Sequence, residues 1–156
     1  MKNKFSYINK IFLFFFILFP NIALSDVLKF NASEIETFEN GNLIKGSGGI
    51  QVDDGLGLII TGEKFELDKI KSTLIAKDEI LVKDNLNGNQ LRSDSIIFLK
   101  KLNKIISKNK TLIELNSGQI IETSNIIYDR NLNILSSDEK TLITDKNNNQ
   151  FNLDNF

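Results

Sequence analysis

The sequence predicts an all-β domain built from a repeat of about 30 residues. Two stretches, NQLRSDSIIF at 89–98 and QIIETSNIIY at 119–128, are near copies that start thirty residues apart. Apolar residues within each unit alternate with a period of two, as Ile96 and Phe98 do, and this is the spacing of a β-strand. Short polar intervals with turn-forming residues recur twice in each unit. Together these patterns indicate consecutive antiparallel strands.

The first 25 residues are typical of a cleavable secretory signal. Lysines without acids precede an unbroken apolar run at 11–19, Pro20 ends the run, and ALS at 23–25 places small residues at the cleavage positions. A retained membrane anchor is the alternative, but crossing a bilayer takes about 20 apolar residues, and this run has nine. The sequence therefore predicts a signal peptide at 1–25 and an exported domain at 26–156.

The composition of residues 26–156 limits the possible functions. They contain 16 Lys and Arg against 20 Asp and Glu, a net charge of −4, which gives no electrostatic basis for binding nucleic acid. The chain has no Cys and no His, so the usual nucleophiles, bases and zinc ligands are missing. We expect neither an enzyme nor a metal or cofactor site. The length suits one domain with its own core.

Apolar residues fall into columns that repeat once per unit. The main column contains Ile35, Phe65, Ile96, Ile126 and Phe156, and the column five residues upstream contains Phe30, Ile60, Leu91, Ile121 and Phe151. Further columns contain Thr37, Leu67, Phe98 and Tyr128, then Leu43, Leu74, Ile105 and Ile134, then Val52, Val82, Ile113 and Ile143. A step of five interrupts strict alternation, which predicts a bulge or corner near Ser33, Glu63, Asp94 and Ser124.

Each unit is interpreted as a β-hairpin. Asn40-Gly41 is a strong hairpin signal because both residues accept positive φ, and the intervals between units, such as 53–55 and 85–88, also carry turn residues. A parallel β-helix is the alternative, but a three-sided coil needs three turns, whereas each unit offers two. Four units are complete and a fifth begins, so we expect either a fragment of a longer protein or an edge strand that a partner completes.

The apolar columns allow two interpretations. They form either a closed core filled by its own side chains or the lining of an open trough. The basic run also allows two interpretations: it either contacts lipid phosphates or is a solvated hairpin tip. It consists of Lys100, Lys101, Lys104, Lys108 and Lys110. The Asp53-Asp54-Gly55 segment lacks the twelve-residue spacing of a calcium loop, so we predict no calcium site there.

The repeats FNASEIETF, ITGEKFEL, LRSDSIIF and IETSNIIY resemble the OstA-like family, which comprises the lipopolysaccharide transport proteins LptA and LptC and the N-terminal domain of LptD. The resemblance covers nearly all of residues 30–156. It implies a twisted, open β-jellyroll, also called a β-taco, in the periplasm. It further implies an apolar trough that carries the acyl chains of lipopolysaccharide towards the outer membrane.

Site and partners are also implied by the resemblance. Other OstA-like domains would pair end to end through their strands, and outer-membrane assembly proteins would be further partners. The implied lipid-binding residues are Phe30, Ile35, Val52, Ile60, Phe65, Leu67, Val82, Leu91, Ile96, Phe98, Ile113, Ile121, Ile126 and Ile143. The alternatives are the N-terminal fragment of an LptD-like assembly protein, a structural or adhesin-like β-solenoid, and a polysaccharide-processing β-helix enzyme. The cleavable signal argues against LptC, which keeps a membrane anchor.

Overall fold

The computed structural model describes residues 28–156, which form one antiparallel sheet of thirteen strands with 3-10 turns at Glu39–Gly41 and Lys100–Leu102. The predicted signal peptide lies outside the described residues. The strands are β1 Lys29–Asn31, β2 Glu34–Phe38, β3 Leu43–Asp53, β4 Leu58–Asp68, β5 Thr73–Asp84, β6 Asn89–Leu99, β7 Lys104–Ser107, β8 Thr111–Glu114, β9 Ile120–Thr123, β10 Ile126–Asp129, β11 Ile134–Ser136, β12 Thr141–Thr144 and β13 Gln150–Leu153. Within residues 28–156, no helix is long and apolar enough to cross a bilayer.

The sheet bends along one line, which we call the crease. The pairing of β3 with β4 shifts register between Ser47 and Ile50, and the next two pairings shift at the same level. After β6 the chain breaks into separate short strands at this level, so that β6 pairs with both β7 and β8. The register shift around Glu63 and the strand break around Ser124 confirm the slip that the step of five predicts.

The crease divides the sheet into two half-sheets. The first contains β2, β7, β10 and β11 with one half of β3 to β6, and the second contains β1, β8, β9, β12 and β13 with the other half. Every pairing between the strands of residues 28–156 is antiparallel, so the β-helix interpretation is wrong. The hairpin at Asn40-Gly41 is confirmed, with φ of 55° and 84° at the two residues.

The apolar columns pack between the two half-sheets as one cluster. Copies from the middle units, such as Phe98 and Ile113, are buried, because they are covered by neighbours above and below. Copies from the terminal units, such as Ile134 and Phe151, are exposed, because their strands lie at the ends of the sheet. This is the behaviour of a solenoid, in which each unit depends on its neighbours for burial.

Buried hydroxyl groups fill the crease in the later units. Ser93 Oγ and Ser107 Oγ lie 2.7 Å apart, and the hydroxyl of Thr111 donates to Ser107 at 2.9 Å. The same arrangement recurs thirty residues later, where the hydroxyls of Thr123, Ser137 and Thr141 bond one another. The bend interrupts the backbone ladder, and these side chains satisfy one another's hydrogen-bonding groups there.

Candidate functional site

The interior between the half-sheets receives most of the residues implied as lipid-binding. Eleven are buried in the core cluster: Val52, Ile60, Phe65, Leu67, Val82, Leu91, Ile96, Phe98, Ile113, Ile121 and Ile126. Phe30 and Ile143 are half-buried and pack against the cluster. The fold therefore brings thirteen of the fourteen residues into one apolar interior.

Ile35 is the exception, with 47% of its surface exposed. It lies opposite Gly46 in β3, and Gly46 lies opposite Phe65 in β4, so Ile35 belongs to the row that faces the interior. It is exposed because β2 is an edge strand of its half-sheet. The ring of Phe65 is instead covered by Phe30, whose centroid is 5.4 Å away.

The interior is closed in this structure. A cavity of about 10 Å³ lies among Val82, Leu91, Ile113, Tyr128 and Leu135, which is the size of a single water site or less. In this state the core side chains themselves fill the space between the half-sheets. A bound acyl chain would require the half-sheets to separate.

The hairpin loops of both half-sheets lie on the side opposite the crease, where loop 130–133 contacts loops 54–57 and 85–88, and we call this side the mouth. The first lip consists of loops 39–42, 69–72, 100–103 and 130–133, and the second lip of loops 54–57, 85–88, 115–119 and 145–149. A group of polar side chains, buried at its centre, joins the two lips, and we call it the clasp. Its members are Asn103, Tyr128, Arg130 and Asn133 on the first half-sheet and Asp54, Asp84, Asn87 and Asn89 on the second.

Arg130 is the centre of the clasp. Its Nη1 lies 2.9 Å from Asp54 Oδ2, and its Nη2 lies 3.2 Å from Asp84 Oδ1. The exposed fraction of the side chain is 1% for Arg130, 4% for Asp54 and 1% for Asp84. Nη1 also donates to the Asn103 side-chain oxygen at 2.6 Å. Arg130 Nε is buried and has no hydrogen-bond partner among the described residues.

Tyr128 connects the clasp to the apolar interior. Its ring belongs to the buried columns, and its hydroxyl donates to Asp84 Oδ2 at 2.6 Å and accepts from the Asn89 amide at 3.0 Å. Burial, together with the bond to Asp84, raises the pKa of Tyr128 to about 12. Burial acts to raise the pKa of Asp84, but hydrogen bonds from Arg130, Tyr128 and Asn87 outweigh it and hold this pKa below its usual value. The clasp therefore contains a neutral phenol and a charged carboxylate at neutral pH.

The aspartates of the clasp follow the repeat. Asp54 begins its loop and accepts from the backbone N–H groups of Leu56 and Leu58 at 2.7 and 2.8 Å. Asp84 and Asp145 accept from N–H groups of their own loops in the same way. An aspartate column could be read from the sequence as turn chemistry, but nothing in the sequence indicates that Asp54 and Asp84 share one arginine. The Asp53-Asp54-Gly55 segment is thus part of a turn that carries an ion pair.

The basic run is divided between two places. Lys100 and Lys101 lie on the first lip, whereas Lys108 and Lys110 lie at the crease, where Lys110 pairs with Glu122 at 3.3 Å. A backbone hydrogen bond of 3.0 Å from the Lys100 N–H to the Ser72 carbonyl joins two neighbouring loops of the first lip. This lip therefore collects Lys69, Lys71, Lys100 and Lys101.

A second cavity, of about 390 Å³, lies on the outer face of β2 to β5. Its walls carry the ion pair Lys45–Glu66 at 3.2 Å and Lys64, which pairs with Asp78 at 2.9 Å. Side chains of a strand alternate between faces, so these charged residues point away from the apolar columns. The lining is mixed, because Phe65 and Ile75 lie among these charged side chains.

Comparison with known proteins supports the fold. No family model and no curated protein matches the sequence. The chain has the fold of a class of periplasmic β-jellyroll proteins, represented among solved structures by LptH of Pseudomonas aeruginosa, the LptA homologous periplasmic component of the conserved lipopolysaccharide transport device. The two share 12% identity with a TM-score of 0.66, over 82% of this chain and 94% of LptH. The predicted OstA-like β-jellyroll is thereby confirmed as the fold.

Proposed function

We propose that this protein is a periplasmic module that binds and transports lipopolysaccharide, with the acyl chains held between its two half-sheets. One observation carries the proposal: one apolar cluster with residues from all four complete units lies within the fold of a periplasmic lipopolysaccharide transport component. Transport would run towards the outer membrane. Its partners would be other OstA-like domains and outer-membrane assembly proteins. The strands at the two ends of the sheet, β1 and β2 at one and β11 and β13 at the other, are the edges for end-to-end pairing.

The repeat provides the physical basis for transport. Burying one methylene group contributes about 0.8 kcal/mol, and each unit offers the same residue types at the same level. An acyl chain therefore has similar affinity at successive units and can move along the interior without a deep trap. The interior sets no direction, so the energy for directed movement must come from another protein.

The filled interior adds one condition. Because the core side chains contact one another in this state, a lipid has to separate the half-sheets and replace those contacts with its own. The same close packing favours a second candidate, a structural or adhesin-like solenoid that binds its partner on the outer face. The N-terminal domain of an LptD-like assembly protein is a third, since such a domain would share both the fold and the lining.

Site-specific photo-crosslinking tests the proposal. A benzophenone amino acid at Phe98 or Ile113 places the probe in the interior, and the same probe at Ile97 or Leu112 places it on the outer face of the same strands. With purified lipopolysaccharide we expect capture at the two interior positions and little at the two outer ones. Capture only on the outer face, or equal capture on both, would support the solenoid instead.

A further inference from the structure

We propose that the mouth is a lateral portal for an amphiphile with a phosphate head and an acyl tail, and that Arg130 recognises the phosphate. In the structure the portal is closed by the clasp. This inference rests on the proposed lipid-binding function and adds where the lipid enters and which group selects it.

The clasp holds together two parts of the chain that move apart when the mouth opens. Arg130 belongs to the first lip, and its two carboxylate partners belong to the second. The Asn89 amide also crosses the mouth, donating to the Asn133 side-chain oxygen at 2.9 Å. Separation of the half-sheets therefore breaks these contacts together and leaves the guanidinium on one lip and the carboxylates on the other.

The clasp lies directly over the apolar interior. The cavity of about 10 Å³ is lined both by the clasp residues Asp84, Asn89 and Tyr128 and by the core residues Val82 and Ile113. An opening at this level leads to the middle of the columns, where burial is most complete. Leu86 and Leu132, on opposite lips, are 69% and 67% exposed and offer the entering tail apolar contacts outside the portal.

Arg130 is suited to phosphate once the lips separate. A guanidinium presents a planar fork of donors that matches the oxygens of phosphate as well as those of carboxylate. In the closed clasp one guanidinium faces two carboxylates, and its Nε remains without a partner. After separation the carboxylates lie on the second lip, away from Arg130, and Arg130 stays on the first lip with its lysines. A phosphate then takes the place of Asp54 and Asp84.

This exchange makes the portal selective. A guanidinium that loses its ion-pair partners in a poorly solvated place is strongly unfavourable. A phosphate-bearing amphiphile supplies a new partner, whereas an uncharged amphiphile with the same tail supplies none. The clasp therefore favours opening for the phosphorylated molecule.

A reversible lock tests the portal. The chain has no Cys, so Asn89→Cys with Asn133→Cys introduces the only thiols, at side chains that touch across the mouth. The probes are dodecyl phosphate and dodecyl maltoside, below their micelle concentrations, with binding measured by calorimetry on the full chain. We expect the oxidised variant to bind dodecyl phosphate about tenfold more weakly or worse, the size expected for losing a charge-assisted contact, and reduction to restore binding. The control is Ser95→Cys with Asn109→Cys, a pair that touches at the crease, and its oxidation should leave binding unchanged.

A second variant tests the role of Arg130. Replacing Arg130→Gln together with Asp54→Asn and Asp84→Asn removes every charge of the clasp, so no buried charge is left alone. We expect the protein to prefer dodecyl phosphate over dodecyl maltoside by about tenfold and the triple variant to lose this preference. Lys108→Gln, at the crease, should keep it.

Each result decides between the proposals. Equal binding by the oxidised and reduced lock, or an unchanged phosphate preference in the triple variant, overturns the portal while leaving lipid binding intact. Failure of the unmodified protein to bind either amphiphile or lipopolysaccharide overturns the proposed function and this inference with it.

Discussion

The ionisation of Tyr128 is a direct measure of whether the clasp is closed. The chain has two tyrosines and no tryptophan, so in a Tyr7→Phe variant the phenol of Tyr128 is the only tyrosine chromophore. This side chain is 3% exposed, and its hydroxyl donates to Asp84 Oδ2 at 2.6 Å. Burial and the neighbouring carboxylate raise its pKa to about 12. We expect the folded protein to show no tyrosinate absorbance at pH 10, where a free tyrosine is half ionised.

The raised pKa of Tyr128 also sets how stability depends on pH. The unfolded chain releases this proton at about pH 10, whereas the folded protein keeps it until about pH 12. The contribution is therefore complete below pH 10 and is lost as the pH rises from 10 to 12. One pKa unit corresponds to 1.36 kcal/mol, so the loss is about 3 kcal/mol in the free energy of unfolding. Urea unfolding at a series of pH values across this window measures it.

Asp84→Asn provides the matched perturbation. Without the carboxylate, the phenolate no longer faces a negative charge, so the pKa of Tyr128 should fall towards 10. Asp129→Asn removes a carboxylate that pairs with Lys104 on the first half-sheet, and it should leave the Tyr128 titration where it was. Ionisation of Tyr128 near pH 10 in the folded Tyr7→Phe protein, with Asp84 intact, would refute the closed clasp.

Two further substitutions test the packing and the ion pairs. Gly46→Ala adds a methyl group that overlaps the ring of Phe65. Thermal unfolding should therefore show that the protein loses about 1 to 3 kcal/mol of stability, and adding Phe65→Leu should recover part of it. An unchanged stability would mean that the ring moves freely. Arg130→Gln leaves Asp54 and Asp84 buried without their partner, and should lower the free energy of unfolding by about 3 to 5 kcal/mol. The triple neutral variant should lose less in urea titrations, and the opposite order would contradict a charged clasp.

The parts of the fold that depend on local chemistry could be predicted from the sequence. Alternation along a strand and a turn signal such as Asn40-Gly41 involve only neighbouring residues. They can therefore be recognised without knowledge of the fold. The bend was also predictable, because an odd step between apolar columns forces a register shift near Glu63. The exposure of Ile35 was not foreseen, since a repeat gives every copy the same pattern and burial depends on whether a neighbouring strand covers it.

The clasp could not be predicted for a related reason. Arg130 and Asp54 are 76 residues apart, and the position of Arg130 is occupied by Lys69 and Lys100 in earlier units, which predict solvated loops. Which loops meet across the mouth depends on how far one half-sheet is displaced relative to the other. That displacement follows from the twist of the whole sheet, and no single unit specifies it. The closed interior is likewise a property of packing and not of pattern.

The clasp also distinguishes one level of the repeat from the others. The apolar columns are equivalent from unit to unit, so the interior alone offers a lipid no preferred place to enter or leave. Arg130, in the loop after β10, forms its two buried ion pairs at one place along the mouth, with Asp54 in the loop after β3 and Asp84 at the end of β5. Movement along the columns and access through the mouth then depend on different residues. A variant that fails to open at the clasp should still exchange lipid through the ends of the sheet, whereas bulky substitutions in the columns should block both routes.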